Sequence, residues 1–196
     1  MNRSLSLIVV LFLAVSAIAA DNDKAALIAQ LQRTEARFLK SIDGLSEAQW
    51  NFKPAPDRWS IAECAEHITA AEPLIRGMIA DAMTRKLTAE QLPVAKKDEQ
   101  LLTGLIDRSK KFKAPEPLVP TNRFGTPQAA VEAFRKERAE TIKLASGDVD
   151  LRVQGAQHPF LGPLDAYGFF LFQSGHSERH TLQIEEVKAD PNFPKQ

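Results

Sequence analysis

Residues 59–67 read WSIAECAEH. Ser60 followed three residues later by Glu63 is a capping-box pattern, in which the serine hydroxyl accepts from the Glu63 amide and the glutamate reaches back to the Ser60 amide. Trp59 and Cys64 occupy the apolar staple positions around that box. The stretch therefore opens a helix, predicted to run from Ile61 to about Thr84, with Pro73 bending it or removing one hydrogen bond. It also sets His67 on or near the apolar side, between Cys64, Ile68 and Ala71. An imidazole turned inward needs partners, because burying it without them is unfavourable.

Helical periodicity continues in both directions. Upstream, Asp23 can cap a first helix whose apolar positions Leu27, Leu31, Phe38 and Ile42 share one face, and Gly44 ends it. "SEAQ" at 46–49 opens a short helical turn containing Trp50, after which Pro54 and Pro56 break the chain. Downstream, residues 86–97 form a polar connection, and "DEQLLTGLIDRSKKF" is a short amphipathic helix lying over the rest. "KAPEPLVPTNRFG" is irregular. Thr126-Pro127 starts a third long helix reaching Gly147, proline being well suited to a first helical position. Pro163 is read as starting the fourth, which "ADPNFPKQ" terminates. Four major helices and no convincing strand predict an all-α four-helix bundle. About 40 residues separate the second and third long helices, enough for a crossover that lets the two run the same way.

The chain has 196 residues, 44% hydrophobic and 26% charged, an ordinary composition for a single domain. Residues 1–20 have the form of a cleavable signal peptide: a basic start at Arg3, an apolar run, and small residues Ala17-Ile18-Ala19. That predicts a secreted or periplasmic protein with no stable membrane span after processing, and a single domain over residues 21–196. Arg3 is the leader's one basic residue, so 24 basic side chains would face 25 acidic ones. Such a balance lacks the basic face that a nucleic-acid partner requires. Cys64 is the one cysteine, which excludes an intramolecular disulfide, and it reads as a small packed residue.

Three of the four histidines can meet. His176 and His180, in HSERH, lie one turn apart on one face of the fourth helix. Buried hydrogen bonds could satisfy that pair alone. With His67, three neutral imidazoles from two neighbouring helices would make a site for a divalent ion with open positions for water. The glutamate of HSERH is misplaced for a zinc protease, since Glu178 is rotated about 200° from His176 and faces away. Glu63 lies on the right side, one turn before His67, but the cap already occupies it. Ser177 is turned away from the site. His158 precedes a proline and reads as a loop residue able to line the mouth of the site.

These motifs resemble a known family. "WSIAECAEH" looks like the tryptophan-serine-x-x-glutamate-x-x-x-histidine signature of the DinB-like (DinB/YfiT) metal-binding four-helix proteins, and "LSEAQWNFKPAP" resembles the approach to it. "HPFLGPLDAYGFFLFQSGHSERHTLQI" resembles the family's closing element, a glycine-containing loop feeding a helix with histidine-x-x-x-histidine and then glutamine. The resemblance spans residues 27–188. It implies an up-down-down-up bundle with a long crossover between the second and third main helices, and metal ligands at His67, His176 and His180. Glu63, His158, Gln173 and Gln183 become the candidates for orienting the ligands or lining the mouth. The implied ion is nickel or zinc first, manganese or iron second, and homodimers are common in the family.

The implied chemistry is that of a metal-dependent hydrolase or a thiol-dependent transferase acting on a small molecule. Arg58, Arg76, Arg123 and Arg179 are the cations able to meet a thiol cofactor's carboxylates. The alternatives are a non-enzymatic secreted metal-binding or structural bundle whose ion staples the second helix to the fourth, and a metal-free helical interaction module.

Overall fold

The computed structural model describes residues 3–91 and 98–195, with side chains from residue 21 onward. The leader read over residues 1–20 and the end of the polar connection, residues 92–97, lie outside the described side chains. The chain is mostly helical. Four long helices, α1 (Arg3–Ile42), α3 (Ile61–Ala82), α5 (Pro127–Ala145) and α6 (Ala166–Lys188), are joined by the short α2 (Glu47–Asn51) and α4 (Asp98–Ile106). Among the described residues no helix is long and apolar enough to cross a membrane.

Local capping chemistry explains where the helices begin. Ser60 Oγ accepts from the Glu63 amide at 3.2 Å, and Glu63 Oε2 accepts from the Ser60 amide at 2.7 Å. Ser46 and Gln49 form the same reciprocal box at α2. Thr126 caps α5, with Pro127 in the first turn. Pro73 sits inside α3 on its exposed side, where its missing donor is tolerated.

Three readings need correction. α1 runs through Asp23, so that residue is no cap; its carboxylate instead accepts from Arg152 Nε at 2.7 Å. The all-α expectation also gives way to a small hairpin, β1 (Gly155–His158) paired antiparallel with β2 (Gly162–Asp165). Pro163 lies in β2 opposite Gln157, and Asp165 caps α6 by accepting from the Gly168 amide at 2.7 Å. Gly162, at φ 81°, makes the turn that residues with side chains adopt reluctantly.

α6 is the central helix, packing against α1, α3 and α4, while α5 packs against α1 and α3. Two apolar clusters fill the bundle. One gathers Leu27, Leu31, Ile75, Ile79 and Phe170; the other gathers Phe38, Trp50, Ile61, Ile68, Phe134 and Ile184. Between them lies a polar layer. Arg138 is 0% exposed and uses all five of its N–H donors. It donates to both Glu72 oxygens at 3.0 and 2.5 Å, to Thr34 and the Leu31 carbonyl at 2.9 Å each, and to Ser177 at 2.7 Å. All four long helices contribute to it.

Cutting one partner from such a layer strands a buried charge. Glu72→Ala should lower unfolding free energy by about 3–5 kcal/mol, whereas Glu72→Leu combined with Arg138→Met should recover most of that loss. Urea titrations of the three proteins check this.

Candidate metal centre

His67 is the seventh residue of α3, so the capping box below it sets its height and direction. His176 and His180 project from one face of α6. The three rings converge: centroids are 4.9 Å apart for His67 and His176, 4.3 Å for His67 and His180, and 4.7 Å for His176 and His180. One nitrogen from each lies within 4.8 Å of the others. His67 Nε2 and His176 Nε2 are 3.1 Å apart. Two nitrogens sharing an ion at about 2.05 Å, subtending 90–109°, would stand about 2.9–3.3 Å apart. The donor set therefore fits a divalent ion.

Hydrogen bonds aim these nitrogens. His67 Nδ1 lies 2.8 Å from the Leu118 carbonyl, which can only accept, so the ring proton sits on Nδ1 and the Nε2 lone pair faces inward. His180 Nδ1 lies 2.9 Å from Gln183 Oε1, an oxygen that also accepts from Arg108 Nη1 at 3.2 Å. Arg108 is itself fixed by Glu186, 2.8 Å from both Nε and Nη2. Burial lowers the proton affinity of all three imidazoles. His67 falls below its ordinary value of 6.5, His176 falls well below it with its histidine neighbours adding to burial, and His180 falls to about 3 for the same two reasons. All three are neutral ligands at physiological pH.

The other candidates are distributed elsewhere. Gln183 orients His180. Glu63 completes the cap and accepts from Lys53 at 2.9 Å, away from the histidines. His158 is not in a loop: it ends β1, is 3% exposed, and its Nδ1 accepts from the amides of Phe160 and Leu161 at 3.2 and 3.3 Å. It closes the hairpin turn and stands outside the histidine cluster. Gln173 belongs to the polar layer, donating to the Glu72 carbonyl at 3.3 Å. Glu178 pairs with Arg37 on α1, and Ser177 is buried in the layer. Cys64 is fully buried and burial pushes its thiol up, so it stays protonated.

Each of the four candidate arginines already has partners. Arg58 meets Glu186, Arg76 meets Glu137 and Arg123 meets Glu66. Arg179 donates to the carbonyls of Leu105, Asp107 and Lys110.

Three contributors escaped the sequence reading. The Leu118 carbonyl is backbone in an irregular stretch, and nothing in its residue type announces it. Arg108 is 78 residues from Glu186, so only tertiary packing joins them. Trp59, read as a staple, lays its ring 4.8 Å from His67 and 6.0 Å from His180, walling one side of the centre.

Comparisons with known proteins bear on the family and the fold. The family model described as the DinB superfamily matches residues 30–184. An uncharacterized protein of Bacillus subtilis (strain 168), YuaE, is 26% identical over 154 residues, covering 75% of this chain and 88% of its own length. The structure of YfiT from Bacillus subtilis, described as a probable metal-dependent hydrolase with an unusual four-helix bundle topology, superposes with a TM-score of 0.56. That match has 11% identity and covers 87% of this chain and 89% of the other.

Two outcomes are expected. Gln183→Leu should leave the fold intact and weaken divalent-ion binding about 10–100-fold, because the ring of His180 loses its orienting acceptor; calorimetric titration measures it. For the metal-free protein the pH sign is set by His180. Its unfolded form takes a proton near 6.5 and its folded form only near 3, so the unfolded state binds more protons between those values. Melting temperature should be highest above about 6.5, fall as pH drops toward about 3, and fall less steeply in His180→Phe.

Proposed function

The chain belongs to the DinB superfamily, and from that premise we propose that it is an exported metal-dependent hydrolase, with His67, His176 and His180 holding one nickel or zinc ion. The observation that carries this reading is the convergence of three neutral imidazoles, with no carboxylate joining them among the described residues. Three protein ligands are the usual number in catalytic zinc sites, where a fourth position stays open. His176 and His180 are mostly covered yet keep some exposed surface, from which that position could be reached.

When bound, the ion would supply Lewis acidity and raise the acidity of a neighbouring water. The chain's own residues do the rest. The Leu118 carbonyl and Gln183 hold two rings in one tautomer, and Trp59 shields one flank. Hydrolysis is favoured over thiol transfer because the four arginines available to a thiol cofactor are engaged with protein groups. The likeness to YfiT, itself described as a probable metal-dependent hydrolase, supports the same class.

The order of cross-links supports the up-down-down-up arrangement. Gln30 meets Ser174 and Lys188 meets the Ser41 carbonyl, as parallel α1 and α6 would require. Arg58 meets Glu186 while Gln173 meets the Glu72 carbonyl, as antiparallel α3 and α6 would require.

Metal analysis of the native protein should find one divalent ion per chain, and His67→Ala, His176→Ala and His180→Ala should each lose it. Because the two apolar clusters are large without it, chelated protein should keep its helical circular dichroism and a cooperative melt while losing activity against ester and amide panels. Collapse of the melt on chelation would overturn the catalytic reading in favour of a structural ion.

A further inference from the structure

Two consecutive residues of α3 reach the same stretch of the crossover. His67 Nδ1 lies 2.8 Å from the Leu118 carbonyl. Glu66, about 100° away round the helix, accepts from the amides of Thr121 and Arg123 at 2.6 and 3.2 Å, and from Arg123 Nε at 2.8 Å. The Glu66 side chain is 6% exposed, so these donors stand in for water. Asn122, between the two amides, has a φ of 62°, which asparagine adopts more readily than most residues.

Arg123 carries this grip to the carbonyl that faces His67. Its Nη1 donates to the Pro117 carbonyl at 3.2 Å and its Nη2 to the Val119 carbonyl at 2.9 Å. The carbonyls on either side of Leu118 are thus held by one planar guanidinium, which Glu66 holds in turn, and the Leu118 carbonyl is left for His67. Little else fixes that carbonyl. Leu118 is the only buried residue between 116 and 123, and a single 3-10 turn, Glu116–Leu118, is the regular structure there.

We propose that Glu66 is a positioning residue of the metal centre, acting through Arg123 and the Leu118 carbonyl on the tautomer and aim of His67. This rests on the metal-dependent reading above. One proton decides the effect. The two ring nitrogens of His67 have one partner each, the Leu118 carbonyl at Nδ1 and His176 Nε2, 3.1 Å away, at Nε2. While the carbonyl is in reach, the proton stays on Nδ1 and Nε2 keeps the lone pair that an ion needs. When the turn relaxes and withdraws the carbonyl, the proton is free to sit on Nε2 and be donated to His176. An ion would then have to displace it. Glu66 touches no ligand nitrogen itself; it keeps the proton on the far side of the ring.

The test uses the full chain, with nitrogen-15 NMR of the imidazoles in the metal-free protein and calorimetric titration with zinc. Wild type should show His67 protonated on Nδ1. Glu66→Ala should move that proton toward Nε2 and weaken zinc binding about 10–100-fold. Arg123→Lys keeps the charge beside Glu66 but loses the fork that holds the Pro117 and Val119 carbonyls, and it should shift both readings the same way. Arg123 lies at the surface, so this variant carries the test if Glu66→Ala does not fold. Ser46→Ala, which removes the cap of α2, should lower the melting temperature yet leave tautomer and zinc affinity as in wild type. An unaltered His67 tautomer in every variant that folds overturns the proposal, as does a zinc affinity that falls no further than in Ser46→Ala; either result leaves the metal reading standing. Wild type that binds no zinc overturns the metal reading and this proposal with it.

Discussion

A guanidinium buried to zero exposure sets the height of every long helix in this bundle. Arg138 reaches from α5 to α1 through Leu31 and Thr34, to α3 through Glu72 and to α6 through Ser177. Apolar packing alone tolerates sliding, because one leucine substitutes for another along a helix face. A five-donor guanidinium does not, since displacing any helix would leave a buried donor unpaired. The consequence reaches the histidines directly. Glu72 lies five residues beyond His67 on α3, and Ser177 adjoins His176 on α6. The layer that holds Glu72 against Ser177 therefore also sets how far apart those two imidazoles stand.

The long crossover has a comparable role. Two consecutive residues of α3 address it: His67 through the Leu118 carbonyl, and Glu66 through the amides of Thr121 and Arg123 at 2.6 and 3.2 Å. Arg123 then returns to Glu66 at 2.8 Å and to the Val119 carbonyl at 2.9 Å. A stretch rich in proline, with few helical donors, is thereby given a fixed path beside the ligand it orients. On the far side of the centre α4 does similar work. It approaches α6 closely because residue 175 is glycine, where a Cβ would stand 2.7 Å from Leu105. The segment that follows brings Arg108 to Gln183.

What could be read from the chain was what depends on neighbours in sequence. The boxes at Ser46 and Ser60, the proline start of α5, the inward turn of His67 and the shared face of His176 and His180 all follow from local spacing. Gln183 was within reach too, being one turn beyond His180. Glu178 was rightly set aside, since a two-residue offset carries it to the opposite side, where α1 supplies Arg37. The failures are non-local or concern weak signals. Strands of four residues containing glycine and proline carry no alternation to detect, so the hairpin was missed and His158 was mistaken for a loop residue. Asp23 resembles a cap, yet its neighbours are helical on both sides and its partner, Arg152, is 129 residues away. Arg138 looks like any surface cation of an amphipathic helix until Glu72 is brought to it.

The acids around the histidines explain why the ligand set stops at three nitrogens. Every one that α3 or α6 places near them in sequence has its own cation: Glu63 has Lys53, Glu66 has Arg123, Glu72 has Arg138, Glu178 has Arg37, Glu185 has Lys188 and Glu186 has Arg108. A carboxylate released from such a pair would be drawn to a divalent ion and would occupy the position a substrate needs. The pairing keeps these oxygens in place by charge as well as by distance. An ion held by neutral imidazoles alone would keep its full positive charge for an incoming oxygen, and that charge is what polarises a carbonyl or acidifies a water. On the hydrolase reading, the ion pairs that brace the bundle would also leave the remaining positions of an ion free of carboxylate, so stability and reactivity would draw on the same set of contacts.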